Sequence, residues 1–295
     1  MGAATRETVG TTAKVRNPRE LLIESLPVTE RRLSLNGVAT AVLEGGSGSP
    51  IILLHGPGGY GAQWIHAIPA LAATHRVIAP DLPGHGASAF FEGPPTPGLV
   101  NDWVDDLIEC TCSKPPVLVG HTLGGAIAMH FAAAAGRPLA ALVLVDTLGL
   151  AAFQPAPAFG TALEAFLRAP TGATHDGLWS QCVFDLEGVR RRLGEQWQWI
   201  RAYNLAGMQA GASALMDWME QFGVPEVPSA VLERIRTPTM LIWGRHDRAT
   251  PLRVAEAARQ KHGWRLEVIE GAADDPTIEQ PEAFLGALRK AIASN

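Results

Sequence analysis

The segment PPVLVGHTLGGAIAMHFAAAA, residues 115–135, constrains the fold of this 295-residue chain more than any other. An apolar run ends in Gly-x-Thr-x-Gly and passes directly into an alanine-rich stretch that favours a helix. This order predicts a buried strand, a sharp turn with Thr122 at its apex, and a helix. The residue at the apex is the first candidate functional residue.

The rest of the chain repeats the alternation of strand and helix from about Arg31 onward. Such alternation indicates an α/β fold, with a mostly parallel twisted sheet of eight strands flanked by helices. Asn36-Gly37 predicts the turn of a β-hairpin. From about Leu150 to Val231 no strand pattern is found, and strand character returns at TPTMLIWGRHD and WRLEVIEGAAD.

These patterns divide the chain into three parts. We predict a core formed by residues 23–149 and 232–295, and a helical cap, residues 150–231, inserted after the sixth strand. Residues 1–22 are polar and aperiodic, which predicts a mobile arm.

Composition excludes several classes of function. The net charge is −5 with both signs mixed, so no positive field would attract nucleic acid or an anionic membrane. No run approaches the roughly 20 apolar residues of a membrane span. The three cysteines, Cys110, Cys112 and Cys182, are typical of reduced cytosolic thiols. We expect a cytoplasmic protein, monomer or homodimer, that binds a small molecule and has no nucleic-acid or membrane partner.

Five motifs in order resemble those of the α/β-hydrolase family, of the type that carries a cap, from about Leu33 to Ile292. They are LLHGPGG, DLPGHGAS, VGHTLGG (the nucleophile elbow), WGRHDRATP and EGAADDPTIEQPEAF. The resemblance implies the α/β-hydrolase fold and a catalytic triad of nucleophile, acid and histidine.

The triad positions depart from the pattern that the resemblance implies. Thr122 stands at the nucleophile's position and Asp247 at the acid's, but Asp274 stands where the histidine is expected. An aspartate with an ordinary pKa near ~4 is a weak base at pH 7. If the fold brings Asp247 and Asp274 together, one of the two pKa values should rise and a proton could be shared.

The expected oxyanion hole is altered as well. The resemblance places one backbone donor at Pro57, which has no N–H, and the second at Leu123. Gly58 could supply the missing donor if the loop is shifted.

Candidate pocket residues are His121, Trp64, Trp179, Trp218 and His175. Neighbouring side chains at the end of a strand point to opposite faces, so we do not expect His121 to reach the Thr122 hydroxyl. Among the nine histidines, His175 in the cap is the one free to approach the site from above. We expect no metal and no cofactor, although Asp247, Asp274 and Asp275 are carboxylates of the kind that binds hard cations.

The resemblance implies a hydrolase of small apolar ester, thioester or C–C-bond substrates. The atypical Thr-Asp-Asp triad predicts weak ordinary esterase activity, and leaves it uncertain whether the chain is an enzyme. Two alternatives stay open: a lyase, decarboxylase or isomerase that uses a protonated aspartate, and a catalytically inactive protein that binds a small molecule.

Overall fold

The structure, a computed structural model, describes residues 17–134 and 136–293, without the side chains of residues 210–214. One eight-stranded sheet runs through it in the order β1-β2-β4-β3-β5-β6-β7-β8. The pairs β1–β2 and β2–β4 are antiparallel and all other pairs are parallel, which confirms the predicted fold class. The strands are β1 (Thr29–Leu35), β2 (Val38–Gly45), β3 (Pro50–Leu54), β4 (Arg76–Pro80), β5 (Val117–His121), β6 (Ala141–Val145), β7 (Thr239–Gly244) and β8 (Arg265–Ile269).

Twelve α-helices lie in the described residues. They are α1 (Pro18–Glu24), α2 (Ala67–Ala72), α3 (Pro97–Thr111), α4 (Leu123–Ala133), α5 (Pro157–Arg168), α6 (Gly172–Cys182), α7 (Leu186–Leu193), α8 (Glu195–Trp218), α9 (Ser229–Leu232), α10 (Arg253–His262), α11 (Pro276–Glu279) and α12 (Pro281–Ala293). A short 3₁₀ turn covers Gly61–Gln63 and a π-helical turn covers Met219–Gly223. None of the helices in the part of the chain described here has the length and apolarity needed to cross a membrane.

Helices cover both faces of the sheet, so the central strands are buried throughout. Successive residues of β3 divide between two apolar clusters: Ile51 and Leu53 pack on one face, and Ile52 and Leu54 on the other. This explains the continuous apolar runs, which are typical of parallel strands buried on both sides. The hairpin turn is confirmed at Asn36-Gly37, where both residues have positive φ.

The first turn of helix α4 lies very close to the end of strand β3. A Cβ atom at Gly124 would lie 2.3 Å from the carbonyl oxygen of Leu54 in β3, so only glycine fits there. This contact fixes the start of α4 directly above the carboxyl ends of β3 and β5, where the site residues lie.

Residues between β6 and β7 form helices α5 to α9 and no strand. This is the segment predicted as the cap. Its last part returns to the sheet through α9, and Phe222 and Val227 are buried in the same apolar cluster as α4.

The predicted mobile arm ends earlier than the sequence suggests. Residues 1–16 lie outside the described residues, but Pro18–Glu24 forms helix α1, in which Leu22 is fully buried. Arg19 donates from Nε and Nη2 to Asp81 Oδ2, over 3.0 and 2.6 Å, and contacts Glu30. Asp81 also accepts hydrogen bonds from the backbone N–H groups of Gly61 and Ala87. The arm prediction missed this helix because its burial depends on a carboxylate 62 residues away.

We predict that Arg19→Leu lowers the free energy of unfolding by about 3–5 kcal/mol, because it leaves the buried Asp81 carboxylate without its cation. The matched control is Arg31→Leu, which breaks an ion pair of a half-exposed arginine with Glu44 and should cost less than about 1 kcal/mol. Urea unfolding followed by tryptophan fluorescence measures both. Equal losses in the two variants would contradict the assigned role of Arg19.

Candidate active site

Thr122 occupies the apex of a strained turn between β5 and α4. Its backbone has φ 46° and ψ −106°, a region that β-branched residues rarely adopt. The turn is held because Thr122 N–H donates to the carbonyl of Val145 over 2.9 Å, while its own carbonyl accepts from Leu148 N–H over 3.1 Å. The Oγ1 atom is buried and has no hydrogen-bond partner among the described residues. The hydroxyl is therefore available to a bound molecule, but no base is in contact with it.

His121 lies at the end of β5, next to Thr122. Its Nε2 atom is 2.7 Å from the main-chain carbonyl oxygen of Asp274, so Nε2 carries the proton and donates it to that carbonyl. A Cβ atom at Gly56 would lie 2.3 Å from Thr122 Oγ1 and 3.3 Å from His121 Nδ1. Gly56 thus leaves space for both side chains, which do not hydrogen-bond to each other.

Asp274 follows β8 and faces the turn. Its main-chain N–H donates to the carbonyl of Cys182 at the end of α6, over 2.9 Å, which ties the loop to the cap helices. The side chain keeps part of its surface open, yet its Oδ1 atom is buried and accepts no hydrogen bond in the described part of the chain. Asp275 differs, because its carboxylate accepts from Thr277 Oγ1 over 2.5 Å and from Gln63 Nε2 over 3.5 Å.

Asp247 follows β7 and is well supplied with donors. Its Oδ1 accepts from the N–H groups of Ala249 and Thr250, over 2.7 and 2.9 Å, and its Oδ2 accepts from Thr250 Oγ1 over 2.5 Å. Three donors favour the charged form of this carboxyl group.

A third carboxyl group, Asp146, joins the site, and the sequence analysis missed it. It follows β6 directly, has φ 42°, is fully buried, and accepts from Gly244 N–H over 2.8 Å. The available signal was LVLVDT, in which an aspartate follows a buried strand, as Asp247 and Asp274 follow β7 and β8. The carboxyl ends of neighbouring parallel strands meet at one edge of the sheet, so the three side chains converge.

Burial and mutual repulsion determine where the protons reside. Burial raises the pKa of Asp274 well above its usual range, and the nearby Asp247 charge raises it further. Burial and the charges of Asp247 and Asp274 do the same to the pKa of Asp146. Burial raises the pKa of Asp247 to about 6, against the opposing effect of its hydrogen bonds from Thr250 and Ala249. Of the three carboxyl groups Asp247 therefore ionises most readily, while burial favours the neutral acid form of Asp274 and Asp146.

Of the two backbone donors expected in the oxyanion hole, the one at Leu123 is present and the one at Pro57 is absent. Helix α4 begins at Leu123, and the first N–H groups of a helix have no intrahelical partner. Pro57 and Gly58 both border the cavity beside Thr122, and Gly58 has φ 66°. Because Pro57 lacks an N–H, Gly58 is the residue of this pair that can donate from its backbone.

A cavity of about 1010 Å³ lies between the core and the helices that join β6 to β7. Its core side includes His121, Thr122 and Asp274, and its other walls are largely apolar, with Phe166, Trp179 and Ile200 among them. This combination of apolar walls and a few convergent polar groups is typical of a small-molecule site.

Two of the predicted pocket residues lie behind the walls instead. Trp64 packs between His121 and Phe284, and Trp218 donates from Nε1 to the carbonyl of Pro83; each is 2% exposed and neither borders the cavity. Their large apolar rings fill the protein interior near the site. A sequence alone does not distinguish a tryptophan that fills the interior from one that lines a cavity.

His175 borders the cavity but is not free to act on Thr122. Its ring is packed against Phe166, Trp179 and Trp197, its Nδ1 is 3.1 Å from Asp176 Oδ1, and its Nε2 is 3.3 Å from the Asn204 amide. Burial lowers its pKa. Both ring nitrogens are thus occupied within the cap, which corrects the expectation that this histidine is free to approach the site.

The raised pKa values predict a loss of stability with rising pH. A carboxyl group with a pKa raised in the folded state binds its proton more tightly than in the unfolded chain, so stability falls between the two pKa values. For Asp247 this interval runs from about 4 to about 6, and for Asp274 it extends to higher pH.

We therefore expect Asp274→Asn to remove a slope of up to about 1.4 kcal/mol per pH unit from the stability profile above about pH 4. Urea unfolding at several pH values from 5 to 8 measures it. Asp102→Asn, an exposed aspartate of α3, is the control and should leave the slope unchanged. A parallel shift of the whole curve, without a change of slope, would contradict the assignment.

Comparison with known proteins agrees with this geometry. The sequence profile of the alpha/beta hydrolase family matches residues 51–287. A 2-hydroxy-6-oxo-6-(2'-aminophenyl)hexa-2,4-dienoic acid hydrolase of Metapseudomonas resinovorans is 27% identical, over 88% of this chain and 89% of the relative. A pimeloyl-[acyl-carrier protein] methyl ester esterase of Neisseria meningitidis is 27% identical, over 81% of this chain and 91% of the relative.

Solved structures share the fold. The 2-hydroxy-6-oxo-6-phenylhexa-2,4-dienoate hydrolase of Rhodococcus sp. strain RHA1 superposes with a TM-score of 0.72 at 23% identity, covering 90% of this chain and 99% of that one. Sheet order, elbow and family profile lead to one conclusion: this chain belongs to the alpha/beta hydrolase family.

Proposed function

We propose that this protein hydrolyses a small apolar ester, thioester or C–C-bond substrate in the cavity, without forming an acyl-enzyme on Thr122. The observation that carries the proposal is the pair of buried, unpartnered oxygens, Thr122 Oγ1 and Asp274 Oδ1, which belong to two residues that border the same cavity. The names of the hydrolase relatives, which include an esterase and hydrolases of dienoic acids, support the substrate class.

The proton state of Asp274 favours hydrogen-bond donation over proton abstraction. A hydroxyl group becomes a useful nucleophile when a neighbouring base removes its proton, and a neutral carboxylic acid cannot do this. A neutral carboxylic acid in an apolar site can instead donate a hydrogen bond to a substrate carbonyl. Thr122 Oγ1, Asp274 and the Leu123 N–H group would then bind and polarise the carbonyl, and a water molecule would attack it.

The same features predict weak activity on ordinary esters. The loss of one oxyanion-hole donor costs on the order of a hundredfold in rate, and Pro57 removes the donor that the family pattern places there. The methyl group and strained backbone of Thr122 further hinder direct attack by its oxygen.

A second candidate function is a lyase, decarboxylase or isomerase reaction. One observation favours it: burial raises the pKa of Asp274. A protonated Asp274 could act as a general acid in a reaction that does not use water as a reactant.

We expect no adduct on Thr122 after incubation with a fluorophosphonate probe, because no base is hydrogen-bonded to its hydroxyl. Intact-protein and peptide mass spectrometry measure the adduct. The positive control is the double variant Thr122→Ser with Asp274→His, which removes the methyl group beside the hydroxyl, supplies an imidazole and should label. Stoichiometric labelling of the unmodified protein at Thr122 would overturn the proposal of a non-covalent mechanism.

We also expect that double variant, with Pro57→Gly added, to hydrolyse 4-nitrophenyl butyrate at least about 100-fold faster than the unmodified protein. The control variant carries Thr122→Ser and Pro57→Gly with the histidine one residue later, as Asp275→His. The Asp275 carboxylate is already hydrogen-bonded, so we expect no increase in the hydrolysis rate. Equal rates for both histidine positions would show that Asp274 does not stand at the base position. Loss of activity on the protein's own substrate in Asp274→His would show that the acid itself is the working group.

A further inference from the structure

The cavity contains an imidazole nitrogen that the site described above does not use. His121 borders the cavity next to Thr122, and its Nε2 proton is committed to the Asp274 carbonyl, 153 residues away in the sequence. In a neutral ring the other nitrogen, Nδ1, then carries the lone pair. Nδ1 has no hydrogen-bond partner in the described part of the chain and lies beside Gly56, which itself borders the cavity.

The ring is held firmly in this orientation. The edge of the ring packs against Trp64, with centroids 6.1 Å apart, and Gly56 on the other side leaves room because it has no side chain. The bond to the Asp274 carbonyl fixes the tautomer, because a carbonyl oxygen can only accept. In proteins, the hydrogen bond made by one ring nitrogen of a histidine determines whether the other nitrogen carries a proton.

We propose that His121 is the general base of this site, accepting a proton at Nδ1, and that Asp274 is the matching general acid. The proposal rests on the proposed hydrolysis by water and names the base that it requires. This arrangement is unusual. The base, His121, immediately precedes Thr122 at the elbow, and the acid, Asp274, stands where the family pattern places a histidine.

The proton transfers balance in both halves of the reaction. A water oxygen bonds to the substrate carbonyl carbon, its proton passes to His121 Nδ1, and the Asp274 proton passes to the carbonyl oxygen. On collapse, the bond to the leaving group breaks, the imidazolium returns its proton to the leaving group, and Asp274 recovers its proton from the hydroxyl. Acid and leaving group are released, and both side chains regain their starting forms.

Charge conservation favours this pairing. When His121 becomes a cation, Asp274 becomes an anion, so the buried site keeps its total charge throughout the reaction. The imidazolium N–H at Nε2 remains bonded to the Asp274 carbonyl, which stabilises the positive charge. Transfer to an isolated base would instead create an uncompensated charge in an apolar cavity, which is costly.

Other titratable groups lie around the His121 ring. His55, in the loop after β3, interacts electrostatically with His121, and burial lowers the pKa of His55 well below its usual value. Asp274 and Asp275 border the cavity from the loop after β8, and Cys182 borders it from α6. Burial and the neighbouring aspartates keep the Cys182 thiol protonated by raising its pKa.

The test uses the full-length protein with 4-nitrophenyl butyrate and the variants His121→Gln and Asp274→Asn. The glutamine amide can still donate to the Asp274 carbonyl but offers no basic nitrogen. We expect kcat of His121→Gln to fall by about 10²–10⁴-fold with KM little changed. Asp274→Asn should remove the decline of kcat at alkaline pH. The control is His262→Gln, whose partly buried ring stacks on Trp264 and should leave kcat and the alkaline limb unchanged.

A second measurement does not depend on turnover. Long-range ¹H–¹⁵N correlation spectra of the unmodified protein at neutral pH should show His121 protonated at Nε2 and unprotonated at Nδ1. Protonation at Nδ1 would overturn the inference. If the unmodified protein hydrolyses the ester and His121→Gln hydrolyses it at the same rate, the inference is also overturned. The proposed hydrolytic function would still stand in that case. If the unmodified protein is inert toward the ester and other activated esters, the proposed function fails, and the tautomer alone decides whether His121 presents a base.

Discussion

The turn between β5 and α4 is the constraint on which the site depends. It places His121, Thr122 and the first N–H of α4 side by side, and it exists because Gly124 lets the helix approach β3 within a distance that no side chain allows. The apex residue then adopts a positive φ, at a cost of about 1–3 kcal/mol for a residue other than glycine. Hydrogen bonds to the ends of neighbouring strands hold it there. The strained residue thus borders the cavity.

The second constraint is electrostatic. Three strands that end at one edge of the sheet each deliver a carboxyl group, and none of the three receives an ion pair from a described cation. Asp247 ionises most readily of the three because its hydrogen bonds oppose the effect of burial on its pKa. Burial also raises the pKa of Asp81, but the positive charge of Arg19 beside it and two backbone N–H groups oppose that rise. Nearby donors and cations, not residue type, therefore distinguish the buried carboxyl groups.

The helices between β6 and β7 form apolar walls of the cavity and are hydrogen-bonded to the loop of Asp274. Asp274 N–H donates to the Cys182 carbonyl at the end of α6, and Glu279 accepts from the N–H groups of Ala273 and Phe184. A movement of α6 would therefore move Asp274 as well. His175, held by Asn204 and by aromatic rings, belongs to the framework of the cap rather than to the reacting groups. These few bonds thus link the cavity wall formed by α6 to the position of Asp274.

Local sequence patterns determined the fold and part of the site. Strand–turn–helix order, the Asn36-Gly37 turn and the position of Thr122 follow from neighbouring residues, because strand and turn preferences act over a few positions. What required the tertiary structure depends on contacts between distant residues. Helix α1 is ordered by Asp81, Trp64 and Trp218 lie behind the cavity wall, and Asp146 joins Asp247 and Asp274 only where three strands end together. The tautomer of His121 is likewise set by a carbonyl 153 residues away. Proton positions depend on burial and on such long-range bonds, so the chemistry of the site was decided by the fold.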